Sequence, residues 1–202
     1  MKKILLTQLI ISDKKSLKDA TEKNLIDFFL KLNCICYLVP NSYIKNPKKL
    51  NLWISNINFD GLVLSGGNDI GQFKERDDLE KYLIQYCLKN SLPILGICRG
   101  AQVIAKFFKN EIVRVKNHVG SHKVNIFKNF LKNKTVNSFH NYGIKKLNNN
   151  FHTIAEHNED KTIEAFSHIN KKILGIMWHP ERFKRRRKDQ EKFIKNFLFG
   201  KK

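Results

Sequence analysis

Apolar residues in the first half of the chain follow two patterns that alternate, short continuous runs and runs with helical spacing. The continuous runs, typical of buried strands, are Lys3–Ile11, Cys34–Val39, Gly61–Leu64 and Pro93–Ile97. Helical spacing follows each of them, at residues 17–32, 50–57, 77–89 and 101–108. This alternation predicts an α/β fold with a mostly parallel sheet and helices on both of its faces.

After Ile112 the pattern changes to short extended runs separated by turn residues. These predicted strands are Ile112–Val115, Lys123–Phe127, Thr135–Phe139, Thr153–Glu156, Thr162–Ser167 and Ile173–Trp178. A last helix is predicted over Gln190–Phe199. No repeat or low-complexity linker interrupts the chain, so we expect one domain over residues 1–202, with extra antiparallel strands in the C-terminal half.

The composition is that of a globular protein. The 202 residues are 42% hydrophobic and 28% charged, and this length suits one compact domain. Every apolar run is far shorter than the roughly 20 residues of a membrane span, and the N-terminal run lacks the cleavage site of a secretory signal. Of the four cysteines, Cys34, Cys36 and Cys87 fit core positions, so no disulfide scaffold is predicted. We expect a cytoplasmic protein with no membrane partner.

The net charge of +20 can arise in two ways. A genome-wide composition bias would account for the 31 Lys and 22 Asn residues. The alternative is a field that attracts a phosphate-bearing substrate or nucleic acid. The densest basic run, Arg182–Lys188, contains one aromatic residue, Phe183, and no alternation of basic and stacking side chains. We therefore expect no nucleic-acid partner.

The most informative local motif is Gly96-Ile97-Cys98-Arg99-Gly100, placed between a predicted strand and a predicted helix. A nucleophile in a tight strand-to-helix turn needs glycines on both sides, because side chains there would collide with neighbouring backbone. The helix N-terminus also favours the thiolate and offers N–H groups to a developing oxyanion. Cys98 is thus a candidate nucleophile, the alternative being a buried structural cysteine.

A cysteine nucleophile needs a base, and a carboxylate usually orients that base. His179 and Glu181 follow the predicted strand Ile173–Trp178, and the extended geometry before Pro180 places the two side chains on the same side. The pair could instead be solvated or bind a metal. Since no third ligand is specified, no metal is expected there, nor at His118 and His122.

Ser65-Gly66-Gly67-Asn68-Asp69, after the strand Gly61–Leu64, offers a second set of backbone N–H groups to a ligand. A diglycine after a strand is also common in plain turns.

Gly120 and Ser121 lie between His118 and His122, which predicts a loop entering a strand that could border the substrate. We expect His152, His157 and His168 to lie at the surface or in packing positions.

Four segments together resemble the ordered motifs of class I glutamine amidotransferases, which carry a Cys-His-Glu triad. The segments are Leu64–Asp69, Gly96–Gln102, Val136–His140 and Trp178–Glu181. The resemblance implies that Cys98 attacks a gamma-glutamyl carbonyl, that His179 moves protons and that Glu181 holds His179. It further implies an oxyanion hole at the N–H groups of Gly67 and Arg99, and no cofactor. The residues it places on the substrate are Gly66, Asn68, Gln102, Ser138, Phe139, His140 and Asn141.

Within that family the chain is most similar to the free-standing gamma-glutamyl hydrolases, and among these to the gamma-glutamyl-CDP-amidate hydrolases of capsule phosphoramidate biosynthesis. This implies a phosphate-bearing nucleotide substrate, cleaved to glutamate and cytidine diphosphoramidate. One alternative is a hydrolase for small amines such as gamma-glutamyl-gamma-aminobutyrate. Another is a glutaminase subunit that delivers ammonia to a separate synthase, although no fused synthase domain is expected. A homodimer is left open.

Overall fold

The computed structural model describes residues 1–127 and 134–200. The strands in this part of the chain are β1 (Lys2–Thr7), β2 (Leu9–Ser12), β3 (Leu17–Ala20), β4 (Cys34–Val39), β5 (Gly61–Leu64), β6 (Ile94–Ile97), β7 (Glu111–Arg114), β8 (Val119–Ile126), β9 (Thr135–Phe139), β10 (Tyr142–Lys146), β11 (Phe151–His157), β12 (Ile163–His168) and β13 (Ile173–Ile176). The α-helices are α1 (Lys23–Lys31), α2 (Pro47–Ile57), α3 (Lys74–Lys89), α4 (Arg99–Phe107) and α5 (Lys188–Phe199).

The centre of the molecule is a parallel sheet of five strands in the order β4-β1-β5-β6-β13. Successive side chains of β1 point to opposite faces, so Leu5 packs in one apolar layer while Ile4 and Leu6 pack in the other. Helices α2, α3 and α4 cover the first layer, and α1 and α5 cover the second. The predicted fold class, with helices on both faces, is confirmed.

The C-terminal half adds antiparallel strands to the same sheet. From β13 the order continues through β12, β11, β8 and β9, and all four of these pairings are antiparallel. Strand β10 bridges β12 to β7 and is the one described strand in this half that the pattern does not predict. Of its five residues only Gly143 and Ile144 are buried, which leaves almost no alternation to detect.

The segment Leu17–Ala20 corrects the sequence prediction, since it forms a strand and not the start of a helix. It pairs with β2 in a two-stranded ribbon outside the main sheet, and Leu17 is 63% exposed. The apolar residues with helical spacing all belong to α1 and its C-cap. Gln8 likewise divides the predicted strand Lys3–Ile11 into β1 and β2.

Among the residues described, no helix is both long enough and apolar enough to cross a bilayer. The expected domain boundaries 1–202 include residues 128–133 and 201–202, which lie outside the described part.

Candidate active site

Cys98 lies at the turn between β6 and α4, where it caps the helix with φ of 52° and ψ of −109°. This strained conformation is typical of a side chain held up at a strand-to-helix elbow. A Cβ on Gly96 would lie 2.5 Å from the Gly100 carbonyl carbon, and one on Gly100 would lie 2.1 Å from the Leu64 carbonyl oxygen. The two flanking glycines are therefore required by close backbone packing.

His179 follows β13 and reaches the same point of the sheet edge. Its Nδ1 lies 2.6 Å from Glu181 Oε1, and both side chains are almost fully buried. Burial lowers the pKa of His179, but hydrogen bonds to Cys98 and to Glu181 outweigh it and raise the pKa to about 9. Since Nδ1 is engaged by Glu181, Nε2 is the ring atom left for Cys98. The structure thus brings Cys98, His179 and Glu181 together.

The diglycine turn after β5 closes the other side of this site. A Cβ added to Gly66 would lie 2.8 Å from His179 Cε1 and 3.7 Å from Cys98 Cβ, so the backbone of the turn packs directly on both. Gly67 has a φ of +79°. On the opposite side of the thiol, Arg99 is the first residue of α4, and the N–H groups of a first helical turn have no intrahelical acceptor. Gly67 thus follows the glycine that packs on Cys98, and Arg99 follows Cys98 in the chain; their role in an oxyanion hole remains a prediction.

A fully buried arginine, which lies in a mixed-charge segment of the sequence, fixes the shape of the turn. The guanidinium of Arg76 donates to the carbonyl oxygens of Ser65, Gly66 and Gly67 at 2.8–3.0 Å. It also donates to Glu80 at 3.2 Å. Because these carbonyls point toward Arg76, the peptide N–H groups of the turn are directed elsewhere. Arg76 lies on one helical face with Leu79, Leu83 and Cys87, and this spacing is the sequence signal that could have revealed its burial.

The arginine that follows the thiol also points away from solvent. Arg99 is 3% exposed, and its guanidinium pairs with Glu80 and with Asp77. Glu80 accepts a further hydrogen bond from Thr7 Oγ1 at 3.0 Å. The ends of β1 and β5 and the starts of α3 and α4 are therefore joined by one buried network of charges. The Arg99 side chain is part of this scaffold.

Strand β9 contributes a residue that the sequence motifs do not assign to the site. Asn137 accepts from the His179 N–H at 2.8 Å and donates to the His179 carbonyl at 2.8 Å. This two-point contact fixes the backbone of the histidine. The Phe139 ring packs edge-on against the His179 ring, with centroids 5.6 Å apart, and the Arg182 guanidinium lies over the Phe139 ring at 4.9 Å.

Four further residues were predicted to contact the substrate: Asn68, Gln102, Ser138 and Asn141. Gln102 is buried and donates to the Tyr142 carbonyl at 2.9 Å, while Asn141 is exposed. The side chains of Asn68 and Ser138 also make hydrogen bonds within the protein. Asn68 Oδ1 accepts from the Ile10 N–H at 2.8 Å, and Ser138 Oγ donates to the His118 carbonyl at 2.5 Å.

The basic run after Glu181 is partly neutralised. Arg182 pairs with Glu22, Arg186 makes a two-point contact with Glu191 at 2.7 Å, and Arg187 lies over the Phe183 ring at 4.6 Å. The run from Phe183 to Arg187 lines a cavity beside Glu181.

Four of the histidines lie together. His118 precedes strand β8 and His122 lies within it, which agrees with the predicted loop entering a strand. His157, expected at the surface or in a packing position, packs beside both of them and contacts Asp160 at 3.1 Å. His140, which the resemblance places on the substrate, joins this group from the residue after β9.

The site therefore consists of a cysteine at a strand-to-helix elbow, a histidine and a carboxylate that follow the neighbouring parallel strand, and a diglycine turn that packs on both. The family model for class-I glutamine amidotransferases matches residues 16–200. The chain therefore belongs to the class-I glutamine amidotransferase family, and the resemblance found in its motifs is confirmed.

Individual relatives differ in what they act on. A gamma-glutamyl-CDP-amidate hydrolase from Campylobacter jejuni is 45% identical over 136 residues, a match that covers 60% of this chain and 62% of that protein. The glutamine-hydrolysing subunit of GMP synthase from Methanococcus aeolicus is 31% identical over 150 residues, covering 71% of this chain and 76% of the relative. The crystal structure of a provisionally assigned GMP synthase subunit from Thermoplasma acidophilum superposes with a TM-score of 0.71 at 26% identity, covering 98% of this chain and 92% of the other.

Proposed function

We propose that this protein hydrolyses a gamma-glutamyl amide through a glutamyl thioester on Cys98, and that its substrate is a gamma-glutamyl nucleotide amidate of the gamma-glutamyl-CDP-amidate type. The observation that carries the reaction is the contact of the His179 ring with both Cys98 and Glu181, beside a cysteine in strained elbow geometry. The 45% identity to a protein named for that substrate supports the substrate class.

In the proposed reaction the Cys98 thiol gives its proton to His179 Nε2, and the sulfur adds to the delta carbonyl carbon of the glutamyl group. The N–H groups of Gly67 and Arg99 stabilise the resulting oxyanion. Collapse breaks the carbon–nitrogen bond, and His179 gives its Nε2 proton to the departing nitrogen. His179 then accepts a proton from water, which attacks the thioester, and glutamate leaves as the thiol is restored. Glu181 keeps the imidazole oriented throughout.

The basic surroundings support an anionic leaving group. Arg182 is paired with Glu22, but Lys184 and Arg185 line the cavity that Glu181 also lines, so cations stand beside the site. A nucleoside diphosphate leaving group carries negative charge that such a cation attracts. The basic run that continues to Lys188 extends this field along one side.

The test offers gamma-glutamyl-CDP-amidate, glutamine and gamma-glutamyl-gamma-aminobutyrate to the purified chain and measures glutamate release. We expect the nucleotide amidate to have the highest kcat/KM. Equal or faster turnover of glutamine would overturn the substrate assignment. The C98S variant should lose activity by at least about 10³-fold, whereas C36A, which changes a cysteine on β4 far from the site in sequence, should keep it.

The thioester is tested separately by rapid quenching in acid followed by intact-protein mass spectrometry. We expect an increase equal to one glutamyl group in the wild-type chain and none in C98S. Turnover with no such adduct under single-turnover conditions would argue against the covalent route.

A second candidate is a glutaminase subunit that supplies ammonia to a synthase. Its support is the 31% identity to a protein named as a GMP synthase subunit. Such a subunit should be nearly silent by itself and should respond to its synthase, whereas the proposed hydrolase should reach full kcat without a partner.

A further inference from the structure

A cluster of four side chains outside the candidate active site has the composition and spacing of a metal site. We call His118, His122, His140 and Glu164 the histidine cluster. His118 immediately precedes β8, His122 lies within β8, His140 follows β9 and Glu164 lies on β12. His118, His140 and Glu164 are buried, and one ligand atom of each lies within 4.8 Å of those of the others. His122 forms a second group of this kind with His118 and His157, and it contacts Glu164 at 3.3 Å.

The nitrogen-to-oxygen distances within the histidine cluster are longer than those of ordinary hydrogen bonds. Glu164 Oε1 lies 3.4 Å from His118 Nδ1 and 3.6 Å from His140 Nε2, and Oε2 lies 3.3 Å from His122 Nε2. Two ligand atoms bound to one tetrahedral Zn²⁺, each at about 2.0–2.1 Å, are roughly 3.3 Å apart. The nitrogen-to-oxygen separations are thus close to those around a bound ion.

The polar atoms of the cluster are also unsatisfied. Within residues 1–127 and 134–200, no hydrogen-bond partner is present for His118 Nδ1, for either ring nitrogen of His122 and His140, or for either carboxylate oxygen of Glu164. Buried polar groups almost always have partners, so several unpartnered groups this close together indicate an ion-binding site. A neutral imidazole offers a lone pair on one ring nitrogen, and a carboxylate offers lone pairs on both oxygens.

An outer layer of contacts prepares the ligands. Asp160 Oδ2 lies 2.8 Å from His118 Nε2, which orients the ring and leaves Nδ1 facing Glu164. Asp160 is itself held by the Thr162 N–H at 3.0 Å and the Thr162 hydroxyl at 2.8 Å. A carboxylate on the far nitrogen of a histidine is the usual support of a zinc ligand. His157 is a weaker candidate, because its Nδ1 accepts the Asp160 N–H at 3.2 Å.

We propose that His118, His122, His140 and Glu164 bind one divalent transition-metal ion, Zn²⁺ by the chemistry of its ligands. Three imidazoles and one carboxylate fill a tetrahedral shell, which is the arrangement of a structural site. The ion would join β8, β9 and β12. Because β9 also carries Asn137, the proposed role of the ion is to hold the residue that fixes the His179 backbone. This proposal departs from the sequence expectation of no metal at His118 and His122, because the third and fourth proposed ligands lie far away along the chain.

The test uses the tag-free full chain, stripped with a chelator and titrated with Zn²⁺ against a competing chromophoric chelator. We expect one Zn²⁺ per chain in the wild type, and an affinity at least about 10-fold weaker in E164Q and in H122Q. H152Q removes an exposed histidine of β11 and should bind as the wild type does. Wild-type chain that takes up no Zn²⁺, or E164Q and H122Q variants that bind it equally well, would overturn the site.

Two further measurements separate this site from zinc binding at the thiol. Cys98 and His179 could also bind Zn²⁺, so C98A is titrated in parallel and should keep the bound ion. Co²⁺ should give the visible bands of a tetrahedral site without the near-ultraviolet thiolate charge-transfer band; loss of binding in C98A, or a thiolate band, would refute the assignment. Should both cluster variants fail to fold, the melting temperature of the wild type decides: Zn²⁺ should raise it, and no shift would count against the site.

Discussion

The protonation of His179 depends on its two neighbours. Its pKa is raised to about 9 because hydrogen bonds to Cys98 and Glu181 outweigh burial, which lowers it. We expect C98A and E181Q each to lower this pKa, since each variant removes a group that favours the cation. Titration of the His179 Cε1–H resonance by NMR measures the shift, with His152 as an internal reference. A pKa of His179 that is unchanged in both variants would contradict the contact.

The same shift links pH to stability. The pKa of His179 rises from an ordinary 6.5 to about 9 on folding, so protonation favours the folded state. This contribution is complete below pH 6.5 and is lost as the pH rises through about 9. Urea unfolding of the wild type should therefore show a steeper loss of free energy between about pH 7 and pH 9 than C98A does.

Adding one methyl group at Gly66 tests how strongly kcat depends on the position of the His179 ring. An alanine Cβ would lie 2.8 Å from His179 Cε1, so the ring must move by several tenths of an ångström. We expect G66A to lower kcat at least about 10-fold while KM changes less, because small displacements of catalytic groups are costly. G71A is the matched control. Its Cβ meets nothing within 4 Å, although its φ of +96° is strained, so it should lose some stability and keep kcat.

Residues of the site were predictable where one short motif carries the chemistry. Cys98 lies between two glycines, and His179 and Glu181 flank a proline, so each leaves a local signature. Asn137 leaves none, because its contact with the His179 backbone exists only once β9 is placed beyond β8. For the same reason the histidine cluster is invisible in sequence, since its ligands are spread over three strands.

At the scale of elements, α3 is tied to the active-site turn through Arg76. Replacing this buried guanidinium by methionine leaves three turn carbonyls without donors and Glu80 with one cation fewer. We expect R76M to lower the free energy of unfolding by about 3–5 kcal/mol and to lower kcat as well. K74M, in the first turn of the same helix, removes an exposed ion pair with Asp78 and should change stability by less than about 1 kcal/mol.

Urea unfolding followed by circular dichroism compares the two variants. A loss in R76M no larger than in K74M would show that the carbonyls find other donors. Folded R76M with normal kcat would show that the turn keeps its shape without the arginine.

Elements were predicted best where burial is continuous. The parallel strands β5 and β6 are fully buried apolar runs, and their positions agree with the prediction to within one residue. Strand β3 is mostly exposed and β10 has only two buried residues, so pairing decides their structure and the pattern of apolar residues does not.

For the molecule as a whole, the net charge of +20 should act on substrates at a distance. If the proposed nucleotide amidate is the substrate, its kcat/KM should fall several-fold as salt rises from about 0.01 M to about 1 M, because the screening length shortens from about 30 Å to about 3 Å. A neutral substrate such as gamma-glutamyl methylamide should show little change. If kcat/KM depended on salt equally for both substrates, the net charge would have no role in attracting the substrate, and composition bias would explain it.

The strained elbow holds a thiol that becomes useful only when distant strands are in place. During synthesis Cys98 leaves the ribosome about 80 positions ahead of His179, so the nascent chain presents an ordinary cysteine with no base beside it. The imidazole can reach the thiol only when β13 is paired with β6. If the proposed reaction is correct, the nascent chain therefore carries no activated thiol until at least residue 179 has been made and placed.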